Sequence, residues 1–188
     1  MQRIQQLVFA VSLVALCWFG MMALHELGHV MGAVVTGGTV RRVVLHPLTI
    51  SRTDVDPNPA PGIVVWMGPI LGSVLPLGLL ALRFGSPILR NVVRFFTGFC
   101  LIANGAYIGV GWFDRIGDCG EMIQVGTPIW LMVAFGAVAT ASGLVIWHRL
   151  GSAKKFLANP QFCSGRMAWG TFGILCLLLV AGFLGSPN

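Results

Sequence analysis

Long apolar runs alternate with short polar stretches along the whole chain. Five runs stand out, and they extend over Leu7 to Val35, Gly62 to Leu82, Phe95 to Trp112, Thr127 to Trp147 and Met167 to Leu184. A helix needs about 20 apolar residues to cross a bilayer, and each run is close to or above that length. The pattern therefore predicts an all-α polytopic membrane protein with about five transmembrane helices.

The segment between the first two runs, Gly37 to Gly62, has a different character. Its first part is rich in β-branched residues, and it ends in a cluster of proline, asparagine and aspartate. This pattern is typical of a short β-hairpin followed by a loop. We expect a β-ribbon at the membrane surface directly after the first helix.

The composition supports the membrane interpretation. Of the 188 residues, 56% are hydrophobic and only 10% are charged, and a soluble domain needs more polar surface than that. We interpret residues 1–188 as a single integral-membrane domain, with a core over residues 7–147 and an additional C-terminal helix over 167–184. The expected location is a bacterial inner (plasma) membrane, in contact with the lipid bilayer.

The net charge of +6 does not indicate a nucleic-acid partner, because the basic residues lie in short loops between the runs. Their distribution instead bears on orientation in the membrane, where basic residues favour the cytoplasmic side. Eight lie on the side of the N-terminus, and four lie on the other: Arg41, Arg42, Arg52 and Arg115. The excess favours a cytoplasmic N-terminus.

The candidate chemistry lies at the end of the first run. His25-Glu26-Leu27-Gly28-His29 has the pattern H-E-x-x-H. On a helix, residues four apart share a face, so the two imidazoles are placed to bind one zinc ion. The glutamate beside the first histidine is placed to act as a general base on a metal-bound water. The alternative is a set of polar contacts between helices without a metal.

A catalytic zinc site usually takes three protein ligands, so a third is expected on the same side of the membrane. His148 is excluded because it ends the fourth run on the opposite side, and His46 is interpreted as a surface residue. Asp54 and Asp56 lie in a turn cluster, where aspartate is common. The remaining candidates lie in the loop Phe113 to Pro128: Asp114, Asp118 and Glu121. Asp118, between Gly117 and Cys119-Gly120, is favoured, with Asp114 as the alternative.

Three stretches together resemble the site-2 proteases, the intramembrane zinc metalloproteases of peptidase family M50, and most closely the compact M50B type. They are "HELGHVMGAVVTGGTVRRVVL", "MGPILG" and "GDCGEMIQVGTPIW". The resemblance covers roughly residues 20 to 147. Two departures are present. The first is in the third-ligand motif, where the usual Asn-Pro stretch leading to Leu-Asp-Gly is missing and Cys119 follows Asp118. The second is orientation, since the family places its metal nearer the cytosol, whereas the arginine count places the HELGH end outside.

The resemblance implies one Zn²⁺ held by His25, His29 and Asp118, with Glu26 as the catalytic base. It also implies that Asn104 holds the substrate, for which the alternative is an interhelical hydrogen bond, and that an unwound substrate lies along a β-edge. The expected function is hydrolysis of peptide bonds in or near transmembrane segments of membrane-protein substrates. The alternative function is a non-catalytic protein of the same fold that binds partner transmembrane helices.

Overall fold

The computed structural model describes residues 2–46, 51–82, 85–152 and 163–185. The tip of the predicted ribbon at residues 47–50 lies outside this part, as do the loop residues Arg83, Lys154 and Lys155. The described residues form six helices and one two-stranded sheet. In chain order these are α1 (Gln2–Thr36), β1 (Val40–Val44), β2 (Arg52–Val55), α2 (Pro61–Leu80), α3 (Pro87–Val110), α4 (Asp118–Gln124), α5 (Ile129–Leu150) and α6 (Gly165–Gly185).

Five of these helices, all except α4, are long and apolar enough to cross a membrane. They confirm the five helices expected from the apolar runs. The start of α3 differs most, because this helix begins at Pro87 rather than at Phe95. Arg90 and Arg94 interrupt the apolar pattern there. The helix nevertheless starts earlier because proline suits a first helical turn and Ser86 accepts a hydrogen bond from the Leu89 N–H.

A glycine turn separates α1 from the predicted ribbon. Gly37 has a φ of 78°, and the N–H of Gly38 donates to the carbonyl of Ala33 at 2.8 Å, the arrangement that commonly ends a helix. The chain then forms β1, which pairs with β2 in antiparallel register, with Val43 opposite Thr53. The two-stranded ribbon is therefore confirmed.

The long helices pack in a fixed order. α1 lies between α2 and α6, and α3 lies between α2 and α5. The hairpin and α4 both meet α1 near its C-terminal end, where Thr53 contacts Glu26 and Asp118 contacts His25. The ribbon and the α3–α5 connection thus lie on the same side as the histidine motif, as the sequence predicts.

The short helix α4 lies inside the stretch Phe113 to Pro128, which was expected to be a loop. Gly117 turns the chain with a φ of 57°, and Asp118 is the first helical residue. Cys119 and Met122, three residues apart, are fully buried against α2, α3 and α5. Burial of this apolar pair fixes the short helix to the bundle, although it is too short to be stable by itself.

Candidate metal centre

The histidine motif lies on the face of α1 that is buried by the other helices. His25, Glu26 and His29 are 7%, 4% and 5% exposed. Ionisable side chains at such depth need partners, because an unpaired buried charge is costly. Their partners come from four other elements of the fold.

The two histidines meet Asp118. The Nε2 atom of His25 lies 2.6 Å from Oδ2 of Asp118, and the Nε2 atom of His29 lies 3.4 Å from Oδ1. One ligand atom from each of the three residues falls within 4.8 Å of the others. Of the three candidates for a third ligand, the structure brings Asp118 to the histidines.

The Nδ1 atom of His25 is already committed to a hydrogen bond. It lies 2.6 Å from Oδ1 of Asn104. The amide orientation follows from its other contact, because Nδ2 of Asn104 donates to the Cys100 carbonyl at 2.9 Å. The oxygen of Asn104 therefore faces the ring, so Nδ1 of His25 carries a proton.

The same holds for His29, whose Nδ1 lies 2.9 Å from the carbonyl oxygen of Val64. A carbonyl only accepts, so this ring nitrogen also carries the proton. In neutral imidazoles with Nδ1–H, both Nε2 atoms present lone pairs, and both face the Asp118 carboxylate. Lone pairs facing a carboxylate repel unless protons or a cation lie between them. One divalent cation bound by His25, His29 and Asp118 satisfies all three groups at once.

Two of the separations can be compared with those of a zinc site. Ligand atoms about 2.0–2.1 Å from a tetrahedral zinc lie about 3.3 Å from each other. The 3.4 Å between His29 and Asp118 matches this value, and the 2.6 Å between His25 and Asp118 requires an opening of less than an ångström. Histidines whose other ring nitrogen donates to an oxygen acceptor are typical of metal ligands. The residues present therefore fit the ion that the sequence led us to expect.

Asp118 is oriented by α3 and by its own turn. Its N–H donates to the hydroxyl oxygen of Tyr107 at 3.0 Å, and a side chain at Gly117 would collide with that hydroxyl. Burial by itself would raise the pKa of the Asp118 carboxyl. Protonated forms of the His25 and His29 rings donate to this carboxyl, which outweighs burial and holds the pKa below its usual range. A cation in place of those protons acts in the same direction.

Close approach of α1 to α2 makes the centre possible. A Cβ atom at Gly28 would overlap the Met67 carbonyl, and one at Gly68 would overlap the His29 ring and reach 2.9 Å from Nε2 of His25. The two imidazole edges thus lie directly on the backbone of α2. Any larger residue at position 68 would occupy the space of the ligands.

Glu26, the expected base, is held by the hairpin. Its Oε2 atom accepts a hydrogen bond from the hydroxyl of Thr53 at 2.7 Å. Thr53 belongs to β2, so the strand that follows the histidine motif returns to it. The Glu26 carboxylate thus lies next to His25 in the chain and is held in place by a residue of the hairpin.

Asn104, the residue expected to hold the substrate, is buried behind His25. It is 1% exposed, and its side chain bonds His25 and the Cys100 carbonyl. The structure contains the interhelical hydrogen bond considered as the alternative, and the substrate role stays a prediction. Asn104 orients His25 from behind, on the side away from Asp118.

The other candidate ligands lie outside the cluster. Asp114 and Glu121 are exposed, and His148 is exposed near the far end of α5. The ring of His46 packs 5.1 Å from that of Phe183. Asp54 and Asp56 face arginines on the hairpin surface. Cys119, the residue that departs from the family pattern, is fully buried beside Tyr107, and burial raises the pKa of its thiol to about 12.

Sequence reasoning missed two residues of the site, Tyr107 and Thr53. Tyr107 lies three residues after Asn104 on α3, so the two share a helix face, and a polar pair on one face of an apolar helix was the available signal. Strand alternation separates Thr53 from Arg52 and Asp54, which indicates that it faces the other way. Neither pattern identifies the partner atom.

Comparison of the chain with protein-family models, with curated proteins and with solved structures finds no match. The geometry of the site and the resemblance of its motifs therefore carry the functional argument.

Proposed function

We propose that the protein is a zinc-dependent intramembrane endopeptidase whose five long apolar helices span a bacterial inner membrane. One observation carries the proposal: the free Nε2 atoms of His25 and His29 converge on the Asp118 carboxylate while both Nδ1 atoms are committed elsewhere. Glu26, the neighbour of the first ligand, supplies the base that a hydrolase needs. Lipid-facing apolar helices around this buried group favour substrates that are themselves embedded in the membrane.

The roles of the residues follow from their positions. His25, His29 and Asp118 would hold the ion. When bound, zinc acidifies a water molecule and polarises the carbonyl of the peptide bond. Glu26 accepts the proton of that water and delivers it to the leaving amine. Asn104 and the Val64 carbonyl keep the two imidazoles in the Nδ1–H form, which leaves Nε2 for the metal.

The hairpin offers a place for the substrate. Each strand of a two-stranded ribbon has one edge without a ladder partner inside the ribbon, and an extended segment can add to such an edge through main-chain hydrogen bonds. β2 leads directly to Glu26 through Thr53. A transmembrane segment unwound along this ribbon would present its backbone beside the centre.

Metal content tests the ligand set. The detergent-purified wild type should hold about one zinc per chain, as a site of this kind is expected to. His29→Ala and Asp118→Ala should lose the metal, whereas the matched variants His148→Ala and Asp114→Ala should keep it. Loss in Asp114→Ala with retention in Asp118→Ala would contradict the assigned third ligand.

Peptidase activity tests the reaction. Purified single-span membrane proteins in the same detergent serve as probes, and mass spectrometry detects new termini. Glu26→Gln should retain zinc and lose cleavage by at least about a hundredfold, since a positioned base contributes about 10²–10⁴-fold. A wild type that holds no zinc after reconstitution would favour the non-catalytic alternative, a membrane protein that binds partner helices.

A further inference from the structure

The segment 51–55, which contains β2, runs alongside α1 and contacts it at regular intervals. The hydroxyl of Ser51 lies 3.1 Å from the sulfur of Met22, and the hydroxyl of Thr53 lies 2.7 Å from Oε2 of Glu26. Two residues along a strand span about 6.6 Å, and four residues along a helix span about 6.0 Å. The two spacings match closely, so alternate residues of the strand segment contact successive turns of the helix.

The face of β2 that carries Thr53 is its inner face. Arg52 and Asp54 point the other way and form an exposed ion pair with 3.2 Å between Nε and Oδ1. The register of the hairpin pairs Thr53 with Val43, which fixes the backbone that carries the hydroxyl. The position of this hydroxyl is thus set by the sheet backbone together with the restricted χ1 torsion of a β-branched side chain.

The bond from Thr53 to Glu26 has ordinary hydroxyl geometry. A separation of 2.7 Å is close to the commonest value for hydroxyl donors and lies within the range for bonds to an ionised acceptor. A threonine hydroxyl has a single proton, and its other acceptor, the Glu26 backbone carbonyl, lies farther away at 3.4 Å, so Oε2 receives the proton. Among the described residues no hydrogen bond to Oε1 is present, which leaves that oxygen to accept the proton of a water molecule.

We propose that Thr53 is a positioning residue that holds the carboxylate of Glu26 in its working orientation. Glu26 is then oriented as a base only while the hairpin is packed against α1. The proposal rests on the proposed protease function. Thr53 acts through Glu26 and does not itself touch the reacting atoms. Movement of the hairpin away from α1 releases the carboxylate and switches the base off.

Three substitutions separate the hydroxyl from the shape of the side chain. Thr53→Val keeps the β-branched shape and removes the proton, Thr53→Ser keeps the proton, and Ser51→Ala removes the neighbouring contact with Met22. In Thr53→Val, kcat should fall about 10–100-fold, since a misplaced catalytic group costs up to about 10², while KM changes less than about threefold. Thr53→Ser should recover most of kcat, and Ser51→Ala should resemble the wild type. All three should retain zinc.

Hydrogen exchange at the hairpin amides provides a readout that needs no activity. Thr53→Val and Glu26→Ala should each accelerate exchange at residues 52–55, and the double variant should show no further increase. Unchanged exchange in both single variants would overturn the contact. If exchange accelerates as expected but Thr53→Val retains the wild-type kcat, the positioning role is overturned. An inactive wild type that binds zinc would instead overturn the protease function and, with it, any catalytic role for Thr53.

Discussion

The two faces of α1 are packed in opposite ways. Towards α2, the helix backbones approach so closely that Gly28 and Gly68 leave no room for a Cβ atom. Towards α6, the contact is made by apolar side chains, with Ala168 and Leu175 buried, while Gly170 and Gly173 have nothing within 4 Å of an added Cβ. Glycine allows close backbone approach on the α2 side, whereas on the α6 side a Cβ at Gly165 would meet only the Gln5 side chain, at 3.2 Å.

The difference follows from what each interface must contain. An imidazole reaches only a short distance from its own helix, so two histidines on α1 can meet partners on α2 and α3 only if those backbones come close. The α6 side carries none of the three candidate metal ligands. It needs only to cover Phe9, Leu13 and Cys17 with apolar surface. We therefore expect substitutions on the two sides to separate metal binding from helix packing.

The largest effect is expected from Gly28→Leu, which inserts a side chain against the Met67 carbonyl. Because the obstacle is backbone, α1 and α2 must separate, and zinc affinity should fall by more than about a hundredfold. That loss is the upper end expected of an overpacked interface, about 1–3 kcal/mol. Gly173→Leu on α6 is the matched control and should bind zinc normally. Equal zinc affinity in both variants would contradict the contrast between the faces.

A smaller loss is expected from Asn104→Ala on α3. The substitution removes the acceptor for Nδ1 of His25 and leaves all three ligands in place. Losing such a partner typically costs about 10–100-fold in metal affinity or activity. Competition with a zinc-binding dye measures the change. An unchanged affinity would show that the other contacts of His25 are enough to orient it.

Tyr107→Phe should weaken zinc binding less. It removes the hydroxyl that accepts from the Asp118 N–H and leaves the ring beside His25 in place. One hydrogen bond is worth about 1 kcal/mol, or about fivefold in affinity. The same dye competition measures this difference, and a loss larger than that of Asn104→Ala would contradict this order.

The smallest effect on zinc is expected from Leu175→Ala on α6. Leu175 is one of the two buried residues of that helix, so its truncation should lower the thermal stability of the protein in detergent. Zinc affinity should stay within about twofold of the wild type, because distant sites act nearly independently. A parallel fall in stability and affinity would indicate that α6 supports the centre.

Part of this site could be predicted from the sequence. The histidine pair and Glu26 are local, since helix periodicity alone places them together. The choice between Asp114 and Asp118 was not local: both lie in one glycine-containing stretch, and the positive φ of Gly117 together with the burial of Cys119 turns only Asp118 towards α1. The role of Asn104 depended in the same way on which face of α3 meets α1.

The sequence by itself determined the number of long apolar helices, the hairpin and the i, i+4 histidine pair, because each depends on residues a few positions apart. The tertiary structure alone decided the third candidate ligand and the partners of His25 and Glu26. His25 lies 79 residues from Asn104 and 93 from Asp118, and Glu26 lies 27 from Thr53. Contacts over such separations depend on how closely helices pack, which no local pattern encodes.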